Sequence, residues 1–182
     1  MVSIRTLRAN VNREQAVREF APPGWRGFLL ARLHGKLRRM ATVYIPFRLY
    51  RVNITSGTRS ESALLAIDSV CGALDIYEFD TIPEESATAR IESRNHPPER
   101  LPEERARQML SARLRRMVFR LGFFRVRELR ITTELLLPEI HVPYWVGFRG
   151  DRQQARIAVM DAVRHRVEGA KVQHLLLEWL AG

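Results

Sequence analysis

The spacing of apolar residues changes several times along the chain, and each change marks an element. VSIRTLR at 2–8 alternates and predicts a short strand. Asn12 is placed as an N-cap, Glu14 lies in a first turn, and Ala16, Val17 and Phe20 share one helical face until Pro22-Pro23-Gly24 stops the helix. Trp25, Leu29, Leu33, Leu37 and Met40 then recur at steps of three or four, predicting a basic amphipathic helix over 25–40 that contains Gly35. VYIPFRLYRVNIT, LLAID and ALDIYEF are β-branched and aromatic runs, separated by the turn-rich SGTRSES and by a bend at Cys71-Gly72, and read as a β-meander.

Residues 80–100 are polar, acidic at the start and carry three prolines, which predicts a linker over the surface. Leu101-Pro102-Glu103-Glu104 opens a helix with carboxylates at the positive end of its dipole. Ala106, Leu110, Leu114, Met117 and Leu121 form its apolar stripe, and Gly122 is the expected stop. VRELRITTELLL alternates with Leu129, Ile131, Thr133 and Leu135 on one side, and Pro138 separates it from a further strand, IHVPYWVGF. GDRQQ predicts a turn, ARIAVMDAV a strand, although Val159, Val163 and Val167 also fit a helical stripe, and AKVQHLLLEWLAG a closing helix with Val172, Leu175, Leu176 and Trp179 on one face.

Three segments recur in order. VNREQAVR at 11–18 matches LPEERARQ at 101–108, VYIPFRLY at 43–50 matches IHVPYWVG at 140–147, and LAIDSVCGAL at 65–74 matches AVMDAVRHRV at 158–167. The offsets are 90, 97 and 93 residues, close to half the length of 182. Such an internal repeat predicts an α+β fold of two tandem helix-plus-antiparallel-hairpin units in a pseudo-twofold relation, at 1–90 and 91–182. Pro46 and Pro143, each before an aromatic residue, predict a strand interrupted at the same point in both units, at a sheet edge or bulge.

Asp68-Ser69-Val70-Cys71-Gly72-Ala73-Leu74, following a strand and hairpin loop, resembles the bend of PepSY-type modules, small bacterial units in which a helix packs on an antiparallel hairpin. The helix starts Arg-Glu-Gln-Ala and Glu-Glu-Arg-Ala resemble the opening helix of the same modules. The second copy departs from that pattern by carrying His165 where the bend has glycine. The resemblance implies a non-catalytic binding, inhibitory or regulatory unit and assigns no functional residue.

Composition narrows the picture only in part. The apolar share of 46% can build a core, and the single cysteine, Cys71, cannot form an internal disulfide. No window has the apolar length of a membrane-spanning helix or a signal peptide, so the expected location is the cytoplasm. Net charge +10 favours acidic partners: nucleic acid, anionic lipid or an acidic protein face. Only Lys36 and Lys171 are lysines, so the charge is almost wholly arginine, a bias that genome composition also produces.

The histidines lack metal-ligand spacing, and no phosphate-binding, nucleophile-elbow or dinucleotide fingerprint occurs, so neither metal nor cofactor is expected. Two basic helical stretches remain as candidate anion-binding surfaces, one with Arg26, Arg32, Arg38 and Arg39, the other with Arg113, Arg115, Arg116 and Arg120. Tyr144 and Trp145 are candidate partner-binding aromatics. The sequence thus points to a non-enzymatic binding or regulatory module for a protein or acidic ligand, with homodimerisation open. The alternative is a nucleic-acid or anionic-surface binder acting through the arginine-rich helices.

Overall fold

A computed structural model of the chain describes residues 1–120, 129–150 and 156–182, the side chain of Arg120 excepted. It is a mixed α+β protein. In chain order the described elements are β1 (Val2–Leu7), α1 (Arg13–Phe20), α2 (Trp25–His34), β2 (Leu37–Ser56), β3 (Arg59–Asp68) and β4 (Tyr77–Phe79). After a 3-10 turn at Glu85–Ala87 come β5 (Thr88–Ser93), α3 (Glu103–Arg120), β6 (Leu129–Arg149), β7 (Arg156–Asp161), β8 (Arg166–Val167) and α4 (Ala170–Ala181). The strands pair in the order β4-β3-β2-β6-β1-β5, with β7 beside β6 and β8 beside β7.

Two compact units divide the residues, and neither is one continuous stretch. The first holds Met1–Ile45, Ala87–Pro97 and His141–Gly182; the second holds Pro46–Ser86 and Pro98–Ile140. Each draws on chain from both sides of residue 90.

In the first unit β1 pairs antiparallel with β5, from Val2↔Ser93 to Leu7↔Thr88, and meets β6 in parallel at Thr6↔His141. The expected linker over 80–100 is therefore corrected: its middle is a strand. Ala89, Ile91 and Ser93 are half-buried while Arg90 and Glu92 are exposed, a period-two run hidden between proline-rich flanks. Asn12 caps α1 as expected, its Oδ1 accepting from the Gln15 amide at 2.9 Å while the Gln15 side chain accepts from the Asn12 amide at 2.8 Å. Ala16 and Phe20 of α1 pack with Val11 and Met160, and Leu37, Met40 and Trp145 border them.

The helix expected over 25–40 is shorter. It ends at His34 because Gly35 takes φ 82°, and Leu37–Met40 begin β2 instead. α4 forms as expected, with Val172, Leu175 and Leu176 buried and Trp179 half-buried.

The second unit is built on the β2–β3 hairpin, paired from Phe47↔Asp68 to Ser56↔Arg59 around the short turn at Gly57 and Thr58. α3 lays Ala106, Leu110 and Leu114 on Tyr50, Val52, Leu65 and Ile67. Met117, expected on that stripe, is 53% exposed. Arg48, 9% exposed, meets Glu99 at 2.8 Å, and the Ser69 hydroxyl donates to the other Glu99 oxygen at 2.9 Å, tying the start of the α3 segment to the hairpin. Leu129, Ile131, Thr133 and Leu135 share the half-buried side of β6 as the alternation predicts. Leu121, Gly122 and most of GDRQQ lie outside the described residues.

Pro138 does not break β6, which runs on through Pro143, and Pro46 lies inside β2. Neither long strand is a sheet edge, the first of the two expected settings, since β2 lies between β3 and β6, and β6 between β2 and β1. Instead each proline stands just outside the last pair of a hairpin ladder, Phe47↔Asp68 and Tyr144↔Asp161, where no amide donor is required. Its carbonyl remains in use: Pro46 accepts from the Ser69 amide at 2.9 Å, and Pro143 from the Ala162 amide at 3.0 Å.

Candidate functional site

The local pattern beyond each proline is also alike. Asp68 Oδ1 accepts from the amides of Cys71 and Gly72, both at 2.8 Å, and its Oδ2 from Leu74 at 2.9 Å. Asp161 Oδ1 accepts from the amides of Val163 at 2.7 Å and Arg164 at 2.9 Å. Gly72 and His165, each four residues past its aspartate, have φ of 69° and 54°. Both aspartates are turn-forming side chains: Asp68 uses both carboxylate oxygens in its turn, Asp161 only Oδ1. Cys71 is exposed in the first of these turns.

The most unusual surface belongs to α2. Its large residues face outward: Trp25 is 70% exposed, Phe28 68% and Leu33 67%, with Leu29, Arg26 and Arg32 also exposed. Its small residues face inward. Gly27 and Ala31 are half-buried together with Leu30, and a Cβ on Gly27 would fall 1.9 Å from the Pro22 carbonyl oxygen. At 100° per residue, Phe28, Arg32, Trp25, Leu29, Leu33 and Arg26 occupy a continuous outward arc, and Leu30, Gly27 and Ala31 the opposite one. A core-facing helix has the reverse arrangement.

Local sequence makes this surface strongly positive. No carboxylate occurs between Glu19 and Glu61, a stretch that includes Arg26, Arg32, Lys36, Arg38 and Arg39. All five are exposed. Arg32 and His34 sit in the last turn of α2, where the negative end of the helix dipole favours positive charge.

Two hollows flank α2 within the first unit. One of about 560 Å³ is lined by Arg18, Glu19, Pro22, Trp25, Arg26 and Leu29. The other, of about 490 Å³, has Leu30, Phe20, Ile157, Ala158, Val167 and Leu177 as its apolar lining. Arg149, Arg156 and His34 supply basic groups to it. Arg149 is 8% exposed and donates to the backbone carbonyls of Phe20 and, at 3.3 Å, Gly35. Its burial lowers the guanidinium pKa from the usual value. Arg156 donates to the Leu33 carbonyl at 3.2 Å and to His34 Nδ1 at 3.3 Å.

The other expected site residues are dispersed. Arg113 is half-buried and donates to the carbonyls of Gly72 and Leu74, a structural role. Arg115 and Arg116 are exposed, and the side chain of Arg120 lies outside the described residues. Tyr144 is buried, and the Trp145 indole N–H donates to the Val11 carbonyl at 2.9 Å, so both aromatics face the interior of the first unit. Phe28, Arg149 and Arg156 were not singled out from the sequence. Arg149 had one available signal, since it follows Gly147 by two residues and so shares the strand face on which Phe20 packs.

Among the described residues no group of three or more His, Cys, Asp or Glu side chains could hold a metal ion. Nor is any helix among them long and apolar enough to cross a membrane. Comparison with protein-family models, with curated proteins and with solved structures gives no match to the chain.

Proposed function

We propose that the chain is a non-catalytic binding or regulatory protein whose working surface is α2, and that this surface docks on an anionic lipid bilayer. The outward arc of Trp25, Phe28, Leu29 and Leu33, interleaved with Arg26 and Arg32, carries the reading. Burying one such large apolar side chain is worth about 1.5–3 kcal/mol, so leaving several in water is a cost that a membrane interface removes. Tryptophan and arginine are suited to that interface, one through its amphipathic ring and the other by placing its stem in the apolar layer and its charge among headgroups. A basic residue near an anionic leaflet adds about 1 kcal/mol, so the apolar side chains supply most of the affinity and the arginines the preference for negative lipid.

A second copy of the chain fits this surface less well. A twofold interface would set the same patch against itself and bring Arg26 and Arg32 towards their own copies. A net charge of +10 strengthens that repulsion.

The proposal keeps the duplicated helix-plus-hairpin architecture and its PepSY-like character. Support comes from the matching proline carbonyl bonds, the aspartate-closed bends and the paired left-handed residues Gly72 and His165.

Vesicle flotation tests the lipid reading. The chain is expected to float with vesicles containing phosphatidylglycerol, to float less with pure phosphatidylcholine, and to bind the anionic vesicles more weakly as salt rises. Replacing Trp25 and Phe28 together by serine should abolish flotation, and Arg26→Glu with Arg32→Glu should remove the lipid preference. Retained flotation of the folded Trp25 and Phe28 variant, or an unchanged lipid preference in the folded arginine variant, would refute α2 as the docking surface.

A further inference from the structure

The hollow between α2, β7 and α4 contains an electrostatic oddity. Arg149 is 8% exposed, yet its hydrogen-bond acceptors among the described residues are two neutral backbone carbonyls. Among the described residues no carboxylate pairs with it. A buried cation without a counterion is costly, and proteins rarely retain one unless an anion reaches it.

The remaining lining is what an anion with a long apolar tail would need. Val167 and Leu177 are 57% and 41% exposed, large apolar side chains on β8 and α4 that border the same hollow. Arg156 and His34 lie on its basic side, and Arg156 donating to Nδ1 leaves the His34 Nε2 as the proton-bearing nitrogen. Glu19, the one acid in the lining, stands 3.8 Å from His165 Nε2. At about 490 Å³ the hollow falls within the range of roughly 300–1,000 Å³ occupied by small-molecule sites.

We propose that this hollow binds a single-chain amphiphilic anion, its carboxylate or phosphate head at Arg149 and Arg156 and its tail along Ile157, Ala158, Val167 and Leu177. The head group neutralises Arg149 through charge-assisted hydrogen bonds, and the tail covers apolar surface that β8 and α4 otherwise leave in water. The site does not depend on α2 docking on a bilayer, because the ligand enters as a monomer and the lining belongs to the first unit alone.

The test uses the full chain without vesicles. Isothermal titration is run with oleate, with oleoyl lysophosphatidic acid and with oleyl alcohol, each below its aggregation limit. Saturable one-to-one binding is expected for at least one of the two anions, with the uncharged alcohol weaker by about tenfold or more. The stronger of the two anions identifies the head group. Arg149→Met and Leu177→Glu should each weaken the anion by about tenfold or more. Circular dichroism reports whether Arg149→Met folds; if it does not, Leu177→Glu alters an exposed side chain and decides alone. No saturable binding of either anion, equal affinity for the alcohol, or unchanged affinity in folded Leu177→Glu would overturn the site. Vesicle flotation is read separately, so failure of one proposal leaves the other standing.

Discussion

His141 is the residue whose surroundings translate most directly into a solution property. It is 1% exposed, its Nδ1 lies 3.2 Å from the Arg5 carbonyl, and its ring meets that of His96 edge-on at 5.7 Å. Burial, helped by His96 and opposed by the Arg5 hydrogen bond, lowers its pKa from 6.5 to about 4. The unfolded chain therefore binds a proton that the folded chain refuses between those two values. Stability is fully present above the unfolded pKa and falls as pH drops through 6.5 towards 4, by about 3 kcal/mol when the interval is crossed. Urea midpoints at about pH 7 and pH 4.5 should show His141→Gln losing much less stability on acidification than the wild type. An equal loss in both proteins would assign the acid sensitivity to other groups.

At the scale of elements, α2 shows how a helix can be positioned by what it lacks. Alanine exceeds glycine in helix propensity by about 1 kcal/mol, so propensity alone expects Gly27→Ala to stabilise. A Cβ placed 1.9 Å from the Pro22 oxygen must instead displace the helix or the turn beneath it. We expect Gly27→Ala to destabilise by about 1–3 kcal/mol, with a lower thermal midpoint. A higher midpoint would show that the contact is soft.

The same helix shows why part of the fold was legible in the sequence and part was not. Asn12, the strand alternations around Ile131 and the closing helix were readable because each depends on neighbours within one or two turns. The boundary at Gly35 was harder, since Leu37 and Met40 satisfy a helical period as well as the strand they join. Which side of α2 faces the protein depends on Pro22, and the role of Arg149 on Phe20, 129 residues away. Such long-range contacts leave little local imprint: Arg26 and Arg32 were legible as a basic surface, but the exposure of Trp25, Phe28, Leu29 and Leu33 beside them, and the second hollow, were not. The 80–100 segment was misread because proline and acidic residues outweighed a six-residue alternation.

For the molecule as a whole, the decisive feature is the way helices and hairpins are shared between the two halves of the sequence. α1 packs with Met160 of β7 in the first unit, and α3 covers the β2–β3 hairpin in the second. Fragments 1–97 and 98–182 should accordingly be poorly ordered when purified alone and regain native circular dichroism when refolded together. Two fragments that each fold independently with cooperative unfolding would contradict this arrangement.

That exchange also sets a clock during synthesis. The Thr6 hydroxyl donates to the His141 carbonyl, 135 residues later in the chain. At ribosomal rates of about 5–20 residues per second, roughly 7–27 s pass before β1, already able to pair with β5, meets β6. The β2–β3 hairpin emerges early too, with Tyr50 and Ile67 uncovered until α3 has left the exit tunnel. Nascent chains of intermediate length thus display apolar surface for seconds, and holding chaperones or slowed translation should govern the yield of native protein more than the stability of the finished fold.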